Sequence, residues 1–133
     1  WSLDEPAGLL HVELPDPTSD SWRIGALQSF EKQRTQELVQ EYLRQYLPLF
    51  AERGVAAPAA VRFRIMQSRW GSCSGRTHSL SFNARLCERP RAFIEYVVVH
   101  ELCHFLHGNH SADFGREVER YLPEWQARRK LGD

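Results

Sequence analysis

Arg91-Ala92-Phe93-Ile94-Glu95-Tyr96-Val97-Val98-Val99-His100-Glu101-Leu102-Cys103-His104 is the stretch from which the fold is read. Phe93, Ile94, Val97, Val98, Leu102 and Phe105 recur at the spacing of one buried helical stripe. Pro90 suits the start of that helix and Gly108 its end. Three consecutive valines also suit a buried strand, because β-branched residues favour sheets. The run continues unbroken through the motif for longer than a typical strand, so a helix is expected.

On a helix, two imidazoles four residues apart lie one above the other, so His100 and His104 can reach a single zinc ion. Glu101 stands beside them, placed to take a proton from a water that attacks a carbonyl. The HExxH pentapeptide specifies only three residues and occurs by chance on ordinary helices; its context carries the reading. A catalytic zinc commonly keeps three protein ligands and one open position. His107 lies on the same stripe, roughly 10 Å along the axis from His100 at about 1.5 Å per residue, too far to join the other two. A third ligand is therefore expected beyond a chain reversal. Gly108-Asn109 can supply the reversal through the left-handed conformation that ends helices, turning His110 back toward the metal. Ser111 would then cap a new helix, with Asp113 in its first turn, where negative charge is favourable.

The spacing from His104 to His110 equals that of HExxHxxGxxH metalloproteases, but the glycine stands at 108 instead of 107, which argues against a strict metzincin. The chain resembles the YgjP-like metallopeptidases, small bacterial relatives of the SprT-like group. The resemblance rests on Arg69-Trp70-Gly71-Ser72-Cys73-Ser74, Leu80-Ser81-Phe82-Asn83, Tyr96 to His104, and Asn109-His110-Ser111, which agree in order and spacing. It covers roughly residues 62–126. It implies one zinc ion held by His100, His104 and His110, Glu101 as general base, and hydrolysis of peptides or unfolded protein segments. It also implies that the strand before the metal helix, His78–Asn83, rims the cleft and pairs with an extended peptide. His107 is not part of that pattern. It reads as a polar residue in the last helical turn, with a place at the substrate rim as the alternative; Arg69 and His107 both stay open as oxyanion stabilisers.

With 133 residues, 42% of them hydrophobic, the chain suits one modest core, and 1–133 is read as a single domain. Its opening Trp1, without an initiating Met, suggests that an N-terminal region of the full-length protein precedes it. Seventeen basic residues balance seventeen acidic ones, so no global field draws the chain to nucleic acid or an anionic membrane. A DNA-associated SprT-type protease and a non-catalytic zinc-binding module are the rival readings. No apolar run approaches the roughly 20 residues needed to span a bilayer, and no signal-peptide pattern opens the chain. Cys73, Cys87 and Cys103 form no CxxC pair and leave one over in any disulfide scheme, which fits a reducing cytoplasm. Cys103 is expected in the core. Cys73 is read as buried and structural, with an approach to the active site as the alternative.

Upstream, Leu9–Leu14 reads as a short strand ended by Pro15 and Pro17. A long helix is expected from Ile24 to about Arg53, with Leu27, Phe30, Leu38, Tyr42, Tyr46 and Phe50 on its apolar face, Gly54 as its stop, and Glu31, Lys32, Arg34 and Glu37 solvated. Val61, Phe63 and Ile65 alternate with arginines, and His78, Leu80 and Phe82 alternate with Ser79, Ser81 and Asn83. Each reads as a strand with one buried face, joined by a hairpin-like excursion from Gln67 to Thr77. His78 is taken as structural. The terminal triplet Arg128, Arg129 and Lys130 is too small to form a nucleic-acid site alone. The expected fold is α+β, a minimal zincin-like core: a small sheet beside a long backing helix, with the His100–His104 helix as the floor of a cleft.

Overall fold

The computed structural model describes residues 2–4, 9–11, 20–108 and 110–132, with side chains described from Ile24 onward. Strands β1 (Ser2–Asp4) and β2 (Leu9–His11) pair antiparallel. The remainder of the strand expected up to Leu14, with Pro15 and Pro17, lies outside the described residues.

Helix α1 (Asp20–Ala51) is the backing helix. Thr35, Leu38, Val39, Leu43, Tyr46 and Phe50 are buried along one face at spacings of three and four. The Thr35 hydroxyl donates to the Ala84 carbonyl (2.7 Å) and accepts from the Cys87 N–H (3.0 Å), tying the helix to the segment after the sheet. Ile24 and Leu27 stay exposed, so the first turns extend past the core and Leu27 does not join it as expected. Glu31 also departs from its solvated reading: burial and the neighbouring Glu88 push its carboxyl up to about 7. Gly54 stops the helix in the left-handed region, at φ 85°, which costs a glycine little.

Strands β3 (Ala60–Arg64), β4 (Gly71–Ser74) and β5 (Ser79–Asn83) form a sheet in the order β3-β5-β4. β5 runs parallel to β3 and antiparallel to β4, so the excursion between residues 67 and 77 places an edge strand. β3 buries Phe63 between exposed Arg62 and Arg64, with Val61 half-buried, but Ile65, expected on the same buried face, lies beyond the strand and is exposed. β5 does not. All five of its residues are buried, because a central strand has neighbours on both edges and cover on both faces. Its polar members are satisfied internally: the Asn83 amide donates to the Met66 and Arg69 carbonyls (2.7 and 2.9 Å) and accepts from the Arg85 N–H (3.0 Å). The expectation that His78–Asn83 offers a free edge is thereby corrected; β3 and β4 are the outer strands.

After a short 3-10 turn at Leu86–Glu88, Pro90 in extended conformation leads into α2 (Arg91–Cys103). Val98, Val99, Leu102 and Cys103 are wholly buried, and Phe93, Ile94, Tyr96 and Val97 nearly so. A helix apolar on almost every side is a core helix, which accounts for three valines without strand pairing. Helices α3 (Ala112–Tyr121) and α4 (Trp125–Arg129) pack against it. The result is an α+β fold with a small three-stranded sheet and a long helix. Among the described residues, no helix is long and apolar enough to cross a membrane.

Candidate active site

α2 ends at Cys103, five residues before the glycine expected to close it, and His104 is its C-cap. Beyond it the chain tightens: the N–H groups of His104, Phe105 and Leu106 donate to the carbonyls of Glu101, Leu102 and Cys103, each three residues back. This tightening begins the return. Gly108 is not in the left-handed region, contrary to expectation, and Asn109 lies outside the described residues. Ser111 caps α3 as expected, accepting from the Phe114 N–H at 3.4 Å, and Asp113 occupies the first turn.

The return brings His110 beside the two α2 histidines: ligand nitrogens of His100, His104 and His110 all lie within 4.8 Å of one another. Phe114 forms an apolar floor beneath them, stacked on His104 at 4.5 Å between ring centres and edge-on to His100 and His110 at 5.0 Å. The donor set suits zinc, which takes imidazole nitrogens and leaves a fourth position open in catalytic sites. Two contacts support the fit. Nδ1 of His104 donates to the His107 carbonyl at 3.2 Å, and Nδ1 of His100 lies 3.2 Å from Oε2 of Glu101. With Nδ1 so engaged, each ring keeps Nε2 for a metal. Burial holds His104 below its ordinary pKa, favouring the neutral form that ligation needs.

Glu101 is buried at 6% exposure, against the edge strand. A Cβ on Gly71 would lie 3.0 Å from Val97 Cγ1 and 3.1 and 3.2 Å from Glu101 Cγ and Oε2, so a glycine here lets β4 approach this face of α2. Between them opens a cleft of about 430 Å³ whose walls include Ser72, Cys73, His100, Glu101, His104 and His110. Cys73 thus does face the cleft. Burial, then the Glu101 charge, pushes its thiol up to about 12, and it is not among the clustered ligand groups.

His107 lies past the end of α2 instead of in its last turn. Its Nε2 is 3.4 Å from Oε1 of Glu117, and it is not among the three clustered histidines. Arg53, just after α1, grips Glu117 through both carboxylate oxygens, one contact at 2.7 Å, and donates to the Tyr121 hydroxyl at 3.1 Å. The Arg53 guanidinium holds the Glu117 carboxyl down at about 2. A chain of contacts therefore runs from Arg53 through Glu117 and His107 to the His104 ring. Sequence reading passed over Glu117 and Phe114. A signal was present: Phe114, Glu117, Val118 and Tyr121 follow helical spacing, and a carboxylate on an apolar stripe needs a partner.

The remaining candidates are structural. His78 donates from Nε2 to the Ala56 carbonyl at 2.7 Å and stacks on Phe105 at 4.2 Å. Cys103 is buried in the core. Arg128 is paired with Glu95 and Glu124, both at 2.7 Å, which removes one member of the terminal basic triplet.

A small sheet, a long backing helix and an HExxH segment on a core helix are the architecture of a minimal zincin-like metallopeptidase. Residues 7–131 match the family model described as the YgjP-like metallopeptidase domain, and the chain belongs to that family. Abylysin of Pyrococcus abyssi, crystallised as a metallopeptidase zymogen, superposes with a TM-score of 0.56 at 20% identity, over 72% of this chain and 89% of that one. Jannalysin of Methanocaldococcus jannaschii, also crystallised as a metallopeptidase zymogen, gives 0.52 at 21%, over 70% and 80%. At these identities the likeness is one of fold. No curated protein matches the chain.

Proposed function

We propose that the chain acts as a single-domain, cytoplasmic, zinc-dependent peptidase that binds one ion through His100, His104 and His110 and uses Glu101 as general base. The observation that carries this reading is the clustering of three imidazoles within 4.8 Å beside a buried carboxylate that faces an open cleft. Zinc at that cluster would act as a Lewis acid, polarising the scissile carbonyl and acidifying the attacking water. Glu101 takes the proton from that water as the water oxygen bonds to the carbonyl carbon, and then delivers it to the amine, which leaves as the C–N bond breaks. The absence of a side chain at Gly71 leaves room for Glu101, since a Cβ there would lie 3.1 and 3.2 Å from its Cγ and Oε2.

Peptide or unfolded protein is the substrate this geometry supports. Among the described residues, β4 has a strand partner on one side only, and its Gly71, Ser72 and Cys73 line the cleft. An extended peptide can add to that edge by backbone hydrogen bonds. The role assigned earlier to His78–Asn83 passes to Gly71–Ser74.

Glu101→Gln tests the mechanism. It should keep the metal and lower peptide hydrolysis by about 10²–10⁴-fold, the usual worth of a general base. Full activity in that variant, or zinc loss as complete as in His100→Ala, would show the role to be wrongly assigned.

A further inference from the structure

A second cavity, of about 420 Å³, shares Arg69, Gly71, His100 and Glu101 with the cleft of the histidine cluster. Trp70, Phe93, Tyr96 and Val97 supply apolar walls, and Trp70 and Phe93 meet edge to face at 6.1 Å between ring centres. His100 and Glu101 line the same cavity, so its contents lie next to the scissile bond of the reaction proposed above. Ser68, Arg69, Gly71, Arg129 and Gly132 complete the lining.

We propose that this cavity is a substrate subsite for a residue bearing a carboxylate, with Arg69 and Arg129 recognising the charge. The inference rests on the peptidase reading and deepens it. Arg128, next to Arg129 in the chain, is neutralised by Glu95 and Glu124, and Arg85 by Glu88. Among the described residues, Arg69 and Arg129 have no ion pair; the Arg129 guanidinium sits 5.7 Å from the Trp125 ring centre. The acidic group in the lining is Glu101, which is committed to the reaction. Two exposed guanidiniums without an ion pair, lining a cavity that also has aromatic and valine walls, select an anion on an otherwise apolar or aliphatic stem. Both an Asp or Glu side chain and the free C-terminal carboxylate of a short peptide have that chemistry.

The test uses the zinc-loaded Glu101→Gln chain, which holds peptides without consuming them, with binding followed by the fluorescence of the wall tryptophan. The probes are one peptide amidated and free of acidic residues, the same peptide with a free C-terminus, and an amidated series with Glu moved through each position. At least one charged form should bind about fivefold or more tighter than the neutral one, the scale expected for partly exposed charge pairs. A gain with the free acid identifies the terminal carboxylate; a gain at one Glu position identifies a side chain. Adding Arg69→Gln and Arg129→Gln should erase the gain, and Arg129→Glu should turn the preference toward Lys at that position. Equal affinity of all probes, no binding by any, or a gain that survives both Gln substitutions would overturn the proposal. Wild-type hydrolysis of the same peptides judges the peptidase reading separately. Charge-selective binding without turnover would sink that reading and leave the subsite standing, whereas turnover blind to charge would sink the subsite alone.

Discussion

The two halves of the histidine cluster are built by different means. His100 and His104 stand on or directly after α2, whose Val98, Val99, Leu102 and Cys103 are wholly shut off from solvent. His110 is exposed and reached through a short return held by polar contacts: the His107 carbonyl, the Arg53–Glu117 pair and the Ser111 cap. Apolar burial fixes the first half whatever the pH. The second depends on charges and hydrogen bonds, and so on pH and metal.

The largest contrast should appear in stability. Leu102→Ala opens a cavity in the fully buried half and should cost about 2–5 kcal/mol in denaturant unfolding. Leu106→Ala, at a half-buried position in the return, should cost much less. Equal costs would erase the distinction.

Next in size is the Arg53–Glu117 pair. Its carboxyl, at about 2 in the folded chain against an ordinary 4.5, contributes stability that is fully present above pH 4.5 and lost as pH falls toward 2. The contribution is on the order of 2–3 kcal/mol. Thermal unfolding followed from pH 6 to pH 2 should show a steeper acid loss in the wild type than in Glu117→Gln. The same variant should bind zinc modestly more weakly, by no more than His107→Ala does, if the chain of contacts to His104 orients that ring. Parallel pH curves and unchanged affinity would confine the pair to the periphery.

Legibility followed the same division. Apolar periodicity from Phe93 to Phe105 made α2 readable, because burial imposes the helical period directly on residue type. The alternation at β3 was readable for the same reason. β5 was misread as one-sided because Ser79, Ser81 and Asn83 look like a wet face, yet all three are buried, Ser79 bonded to Thr77 and Asn83 to the Met66 and Arg69 carbonyls, and strand order is not written in any single strand. The return was misplaced because a glycine suggested a left-handed end, while consecutive three-residue hydrogen bonds had already tightened the chain at His104 to Leu106. Glu117 escaped notice because its partner Arg53 lies 64 residues earlier.

A subtler difference should appear on metal removal. Amide exchange in α2 should change little between zinc-loaded and stripped chain, whereas residues 104–111 should lose protection when the ion is withdrawn. Equal loss in both segments would mean that the metal orders the helix as well.

Zinc affinity of His107→Ala and His110→Ala, measured by competition with a chelator, bears most directly on the central claim that the return delivers His110, and not His107, to the α2 pair. The expected result is wild-type-like binding of one ion by His107→Ala, weakened at most modestly through the lost Glu117 contact, and a severe loss in His110→Ala. A zinc-depleted His107→Ala beside a zinc-replete His110→Ala would contradict it.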